Sequence, residues 1–276
     1  MTWKPDQPYK PEWNKIVWEL PQYTRGTGLD LGCGTGKAYP HFIGVDNHKD
    51  KELFGNPTVS DIKADVEKLP MFSDGSMDFV FSSHTLEHIE NFNAALKEWW
   101  RVVKVGGNLV LYLPHKELYP NIGQPGANPD HKHDFLPEDI IGAMKDLGSW
   151  ELLKSEVRGQ DDEYSFLQVF RKLPKGGGHV YSHAKPKPEK SCAVVRYGAW
   201  GDALQASSVF PGLKEQGYHI TLYTTPRAWE VLKFDPNIGA VYLQDTDQVP
   251  NAFLGQFWEH EKGKFDKWIN LSEPVS

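Results

Sequence analysis

Three glycines at alternate positions, Gly32, Gly34 and Gly36, follow the short apolar run Gly28-Leu-Asp-Leu31, and Asp30 stands two residues ahead of the first. Glycine reaches positive φ without steric penalty and lets a ligand lie against the main chain. Cys33 sits inside this loop. A second apolar run, Phe42-Ile-Gly-Val45, closes on Asp46. An acid at the tip of a second strand is placed to accept hydrogen bonds from both hydroxyls of a ribose. Glycine loop plus ribose acid reads as the site of an adenosine-type cofactor on a doubly wound sheet. A dinucleotide fingerprint, G-x-G-x-x-G, sets a pyrophosphate against a helix N-terminus. Here the third glycine comes one residue early, and Asp30 would repel a pyrophosphate. The same carboxylate suits a ligand that carries an ammonium and a sulfonium.

A second set of residues is rich in imidazole. His84, Glu87 and His88 form an H-x-x-E-H run, and His131 and His133 lie in a glycine- and proline-rich stretch from Tyr119 to Phe135. On a helix His84 and His88 would stand one turn apart, which is metal-ligand spacing. Capping, packing or general-base work is the preferred reading, and no metal is expected. His131 and His133 are the base candidates, because neutral imidazole titrates near working pH.

The elements that position these groups follow from periodicity and punctuation. Pro11 opens a helix whose Trp13, Ile16, Val17 and Leu20 recur at helical spacing. Only Lys37 to His41 separates the glycine loop from the second strand, so the first crossover is a short turn. Residues 1–10 read as loosely ordered and 47–60 as a loop with at most one helical turn. Strands are expected at 59–63, 78–82 and 108–113, a helix at 91–103 ended by Gly106-Gly107, another at 136–148, and a hairpin at 150–157 and 164–172.

At this point the chain resembles the class I S-adenosylmethionine-dependent methyltransferases, whose first motif is D/E-x-G-x-G-x-G. Three further stretches continue the resemblance in order: Ala64-Asp65-Val66 with Leu69-Pro70, Asp78 to His88, and Arg101-Val-Val-Lys-Val-Gly-Gly107, with Val105 where proline is usual. The resemblance implies a Rossmann-like seven-stranded sheet, mostly parallel with an antiparallel last strand. It implies S-adenosyl-L-methionine as cofactor. Asp30 and the amides of Gly32, Cys33, Gly34 and Gly36 would face the methionine part, Asp46 the ribose, and Asp65 with Val66 the adenine. Ser82, Ser83 and His84 would lie where cofactor meets acceptor, with the 119–135 stretch as an acceptor lid.

Composition bounds the partners. The chain has 276 residues, a net charge of −7 and two cysteines far apart, Cys33 and Cys192. An acidic balance argues against a large nucleic-acid footprint, the cysteines suggest a reducing compartment, and no apolar run is long enough to span a membrane. A soluble cytoplasmic protein is expected, with a small-molecule or glycan acceptor.

The domain division is expected as 1–173, a Gly/Pro/Lys linker at 174–190, and a second α/β unit at 191–276. Strands are read at 191–196, 219–223, 240–243 and 265–271, and helices at 203–216 and 226–233. Val195 to Ala203, Pro211 to Lys214 and Phe265 to Leu271 resemble the opening of the family 9, heptosyltransferase-like glycosyltransferases. That resemblance implies a partial Rossmann-like half-domain in which Asp202 is the base for an acceptor hydroxyl and Arg196 its partner. It also implies a piece of a longer bifunctional protein, or a docking module. The function expected is O-methylation of a sugar, glycan or other small molecule. The rivals are a non-catalytic cofactor-binding scaffold and a methyltransferase acting on nucleic acid or protein.

Overall fold

The computed structural model describes residues 11–47, 52–53, 56–182 and 188–272. The expectation for residues 1–10 lies outside them. Two units emerge, one of residues 1–17 and 26–183, the other of residues 18–25 and 184–276.

The first unit is built on strands β1 (Gly28–Leu31), β2 (Ile43–Asp46), β5 (Ile62–Lys63), β6 (Met77–Ser83), β7 (Val103–Pro114), β8 (Trp150–Arg158), β9 (Ser165–Lys172) and β10 (His179–Tyr181). A small antiparallel pair, β3 (Glu52–Leu53) and β4 (Asn56–Pro57), lies apart from them. The eight form one sheet in the order β10-β8-β9-β7-β6-β1-β2-β5. β9 runs antiparallel to both β7 and β8, and the remaining pairs are parallel. The seven expected strands are therefore joined by an eighth. β10 comes from the stretch read as linker and lies parallel to β8, with His179 stacked on Trp150 at 4.5 Å.

All four residues of β1 are buried, as expected of a parallel strand covered on both faces. One face is covered by α1 (Phe92–Val102) and α2 (Pro137–Lys145). Asn91 caps α1 by accepting a hydrogen bond from the Ala94 amide at 3.1 Å. The helix buries Leu96, Trp99 and Trp100 against Leu29, Val80 and Leu109 of the sheet. Burying side chains of this size is worth about 1.5–3 kcal/mol each. α1 ends at Val102, and Gly106-Gly107 lie inside β7 rather than at a helix end.

The opposite face explains the short first crossover. No helix lies between β1 and β2. Aromatic side chains fill the space instead: Phe42 packs at 4.7 Å on Phe79 and 6.3 Å on Phe81, and Tyr39 donates its hydroxyl to the Val17 carbonyl at 2.8 Å. Phe79 and Phe81 share one face because successive strand residues alternate. The stretch after Pro11 also departs from expectation. It forms two 3-10 turns, Glu12–Lys15 and Leu20–Gln22, instead of one α-helix. Its apolar residues are divided between the units, since Trp13 and Ile16 belong to the first and Leu20 to the second.

The second unit holds a four-stranded parallel sheet of β11 (Ser191–Val195), β12 (His219–Thr224), β13 (Ile238–Leu243) and β14 (Lys267–Asn270), in the order β13-β12-β11-β14. Cys192 and Val194 face a core with α3 (Trp200–Ser207), α4 (Phe210–Glu215) and α5 (Pro226–Leu232); Ala193 and Val195 face α6 (Asn251–Lys262). The single helix expected at 203–216 is two, because Pro211 has no amide to continue α3 and sits instead in the first turn of α4. Arg25 pairs with Asp245 at 3.1 Å, which ties residues 18–25 into this unit. No described helix is long and apolar enough to cross a membrane.

Candidate functional site

The glycine loop leaves the carboxyl end of β1. Gly32 and Gly34 adopt φ of +74° and +50°, the left-handed region that glycine enters most easily. A Cβ on Gly32 would lie 2.1 Å from Thr85 Oγ1, so the loop is pinned against the segment after β6. Trp13 donates its indole N–H to the Gly36 carbonyl at 2.8 Å and closes the other flank.

Asp30 is 2% exposed and accepts a hydrogen bond from the Ala38 amide at 2.8 Å. Burial pushes its carboxyl up to about 7, with the neighbouring charge of Asp46 adding to the rise. Asp46 is 5% exposed and accepts from the Gly34 amide at 2.9 Å, so the ribose acid and the glycine loop hold each other. The two carboxylates sit on adjacent parallel strands, where Asp30 pairs in register with Gly44 and Leu31 with Val45. Cys33 is a buried free thiol pushed up by burial. Lys37, just beyond the loop, is paired with Asp61 at 2.9 Å.

Asp65 accepts from the Glu67 amide at 2.9 Å, and the Val66 carbonyl accepts the Trp99 indole at 2.8 Å, which fixes this turn at the edge of the core. Ser82 has a structural tie as well: its buried hydroxyl donates to the Leu31 carbonyl at 3.0 Å and links β6 to β1. Ser83 Oγ is buried without a hydrogen-bond partner.

His84 follows β6 at a φ of +49°, a sparsely populated conformation for a residue with a Cβ. Its Nε2 lies 2.9 Å from Ser165 Oγ, and its ring packs near Tyr112 and Tyr164. Burial lowers its proton affinity to about 3, so the imidazole is neutral. The following turn, Leu86–His88, is 3-10 rather than α-helical. The chain from His115 to Phe135 forms a loop closed at its neck, where the Lys116 amide donates to the Phe135 carbonyl at 2.9 Å. Amides of Lys132 and His133 donate to the Glu87 carbonyl at 2.7 and 3.2 Å, which docks the loop on the turn.

Docking brings His131 to His88, with ring centroids 4.8 Å apart. His131 is 7% exposed, and burial lowers its proton affinity to about 4. His133 does not join this group. Its Nε2 reaches the Ile89 and Glu90 carbonyls at 3.0 and 3.1 Å, and its ring stacks on Phe135, so it anchors the loop. The residues sequence reasoning left out of the site are Tyr119 and Tyr164, whose rings lie 4.9 Å apart beside His131 and His84.

Asp202 lies in the second unit. Its Oδ1 is 2.5 Å from Arg196 Nη2, and its Oδ2 accepts from the Ala199 amide at 3.0 Å at the start of α3. The Arg196 guanidinium holds the carboxyl below the usual range. A carboxylate so engaged caps a helix and is poorly suited to the base role expected of it.

Residues 29–111 match the family model of a methyltransferase domain. The demethylmenaquinone methyltransferase of Roseiflexus sp. is 25% identical over 210 residues, covering 68% of this chain and 76% of that protein. The ubiquinone/menaquinone biosynthesis C-methyltransferase of Neisseria meningitidis is 33% identical over 108 residues, 38% of this chain and 42% of that protein. A solved S-adenosylmethionine-dependent methyltransferase of Aquifex aeolicus is 17% identical with a TM-score of 0.43, over 61% of this chain and 98% of that one. The family model and the curated relatives, taken with the glycine loop and the strand order, support one reading of the first unit: a class I methyltransferase domain whose cofactor is S-adenosylmethionine.

Proposed function

We propose that the protein transfers a methyl group from S-adenosylmethionine to a small-molecule acceptor held at the carboxyl ends of β6 and β7. The observation that carries this reading is the pair of buried carboxylates, Asp30 and Asp46, set against the glycine loop. Two buried carboxyls side by side call for a ligand with positive charge and hydroxyl donors. Asp30 would hold the ammonium side, Asp46 the ribose, and the turn at Asp65 and Val66 the adenine. Gly32, Cys33, Gly34 and Gly36 let the methionine part lie against the main chain. When bound, the cofactor supplies an electrophilic methyl for in-line displacement. What remains for the chain is alignment, which carries much of such a barrier. Ser83, His84, Tyr119 and Tyr164 border the place where an acceptor would be aligned.

For the acceptor, the first reading is a hydroxyl of a sugar or glycan, from the resemblance of residues 191–276 to a glycosyltransferase. The quinone C-methyltransferases among the relatives favour a second, methylation at carbon. Net charge of −7 disfavours nucleic acid as acceptor. Two buried free thiols suit the cytoplasm.

Calorimetric titration of S-adenosylmethionine and, separately, NAD tests the cofactor. Binding of the first alone is the expected result. Labelled-methyl transfer to hydroxylated sugars against demethylated quinols then separates the acceptor readings. Cofactor binding without transfer to any acceptor would leave a non-catalytic scaffold.

A further inference from the structure

Methyl transfer leaves one buried charged residue without work. Glu87 is 0% exposed, and neither of its carboxylate oxygens has a hydrogen-bond partner. A buried polar group left unpaired is destabilising, and more so when it is of a charged type. Three imidazole nitrogens surround one of its oxygens. His88 Nε2 and His131 Nε2 each lie 3.9 Å from Glu87 Oε1, and His84 Nδ1 lies 3.7 Å from it. These separations are too long for hydrogen bonds. They are the separations of groups converging on a common point.

We propose that Glu87, His88 and His131 bind one divalent first-row transition-metal ion, of the zinc type. Their ligand atoms all lie within 4.8 Å of one another. Ligands about 2.1 Å from a tetrahedral centre stand ~3.4 Å apart, so seating the ion takes closure by about half an ångström along each 3.9 Å edge and by up to about 1.4 Å between the two imidazole nitrogens, which lie within 4.8 Å of each other. Imidazole with carboxylate is a donor set that suits zinc and its neighbours. The backbone is already in place, because the Lys132 and His133 amides hold the loop to the Glu87 carbonyl. His131 is steadied by Tyr119, with ring centroids 5.3 Å apart. In the sequence the only metal pairing on view was His84 with His88 along a helix, and capping, packing or general-base work was preferred to it. The folded chain pairs His88 with His131 instead, across 43 residues of sequence. Two imidazoles and one carboxylate leave a fourth position open for water or an acceptor oxygen. A role in holding the acceptor rests on the methyl-transfer reading; binding of the ion does not.

The test uses the untagged full chain stripped of metal. Zinc and cobalt(II) are titrated in turn, retained metal is counted by mass spectrometry after gel filtration, and the cobalt protein is examined by visible absorption. The expected result is one ion per chain with the ligand-field bands of a low-coordinate site. Affinity should fall by more than about a hundredfold in Glu87→Gln and in His88→Ala, beyond what loss of even an outer-shell partner brings. His260→Ala in the second unit should bind as wild type does. The partly exposed His88 keeps the test valid should Glu87→Gln fail to fold, and circular dichroism reports folding in each case. No retained metal in the wild type, or equal retention in a His88→Ala, His131→Ala double variant, overturns the proposal. Titration of S-adenosylmethionine into the same metal-free protein reports the methyltransferase reading separately.

Discussion

Burial lifts the Asp30 carboxyl to about 7, from an ordinary value of 3.8. Between those values the folded protein holds a proton that the unfolded chain has released. By linkage, stability falls as pH rises through that window and levels off above it. Asp30→Asn keeps the shape and removes the titration. Urea midpoints compared at about pH 5 and pH 8 should drop more steeply for wild type than for the variant, and parallel behaviour refutes the assignment. Affinity for S-adenosylmethionine should move the opposite way and rise over the same interval in wild type, because a cationic ligand selects the ionised carboxylate. Asp46 permits a simpler prediction. A hydrogen bond to a charged group is worth about 1.5–3 kcal/mol, so Asp46→Ala should weaken the cofactor by roughly ten- to a hundredfold by calorimetry. These two aspartates were legible in the sequence because their signal is local: a short strand, a glycine, an acid at a strand tip. The Glu87 cluster was not. Its members His88 and His131 meet only when a loop closed at Lys116 and Phe135 docks on a 3-10 turn, and spacing along the chain carries no trace of that.

Among elements, the glycine loop and the aromatic crossover work as one unit. Gly32→Ala would place a Cβ 2.1 Å from Thr85 Oγ1 at a φ of +74°. Left-handed backbone alone costs about 1–2 kcal/mol. The sum should exceed ~2 kcal/mol, read as a lower urea midpoint, and a neutral result would show that the loop relaxes freely. Strand positions in the first unit followed from alternating or continuous apolar runs, but β7 begins at Val103, five residues ahead of the expected start, and β5 keeps only Ile62 and Lys63 of the expected 59–63. The stretch after Pro11 misled, because an apolar residue every third position fits a 3-10 turn as well as an α-helix. α6 was missed although Phe253, Leu254, Phe257 and Trp258 recur at helical spacing, and Leu254, Phe257 and Trp258 pack into the core on that face of the sheet. β10 was taken as linker, since three exposed residues at a sheet edge leave no apolar pattern to read.

At the scale of the whole molecule, each unit has its own sheet and its own core. S-adenosylmethionine should therefore slow amide exchange in the loops after β1, β2 and β6 and leave β11 and β12 unchanged. Equal protection in both sheets would show that binding tightens the second unit as well. The sequence marked a division near the glycines after Pro174, yet gave no sign that residues 18–25 belong with the later unit. That membership shows only in contacts such as Arg25 with Asp245, 220 positions apart. It also sets a timetable. During synthesis Arg25 leaves the ribosome long before its partner exists, and at about 5–20 residues per second the wait is roughly ten to forty seconds. For that interval Leu20, buried in the folded chain, waits for the rest of its unit. The nascent chain thus carries, directly ahead of β1, a segment that cannot take its folded place until residues 184–276 have been made.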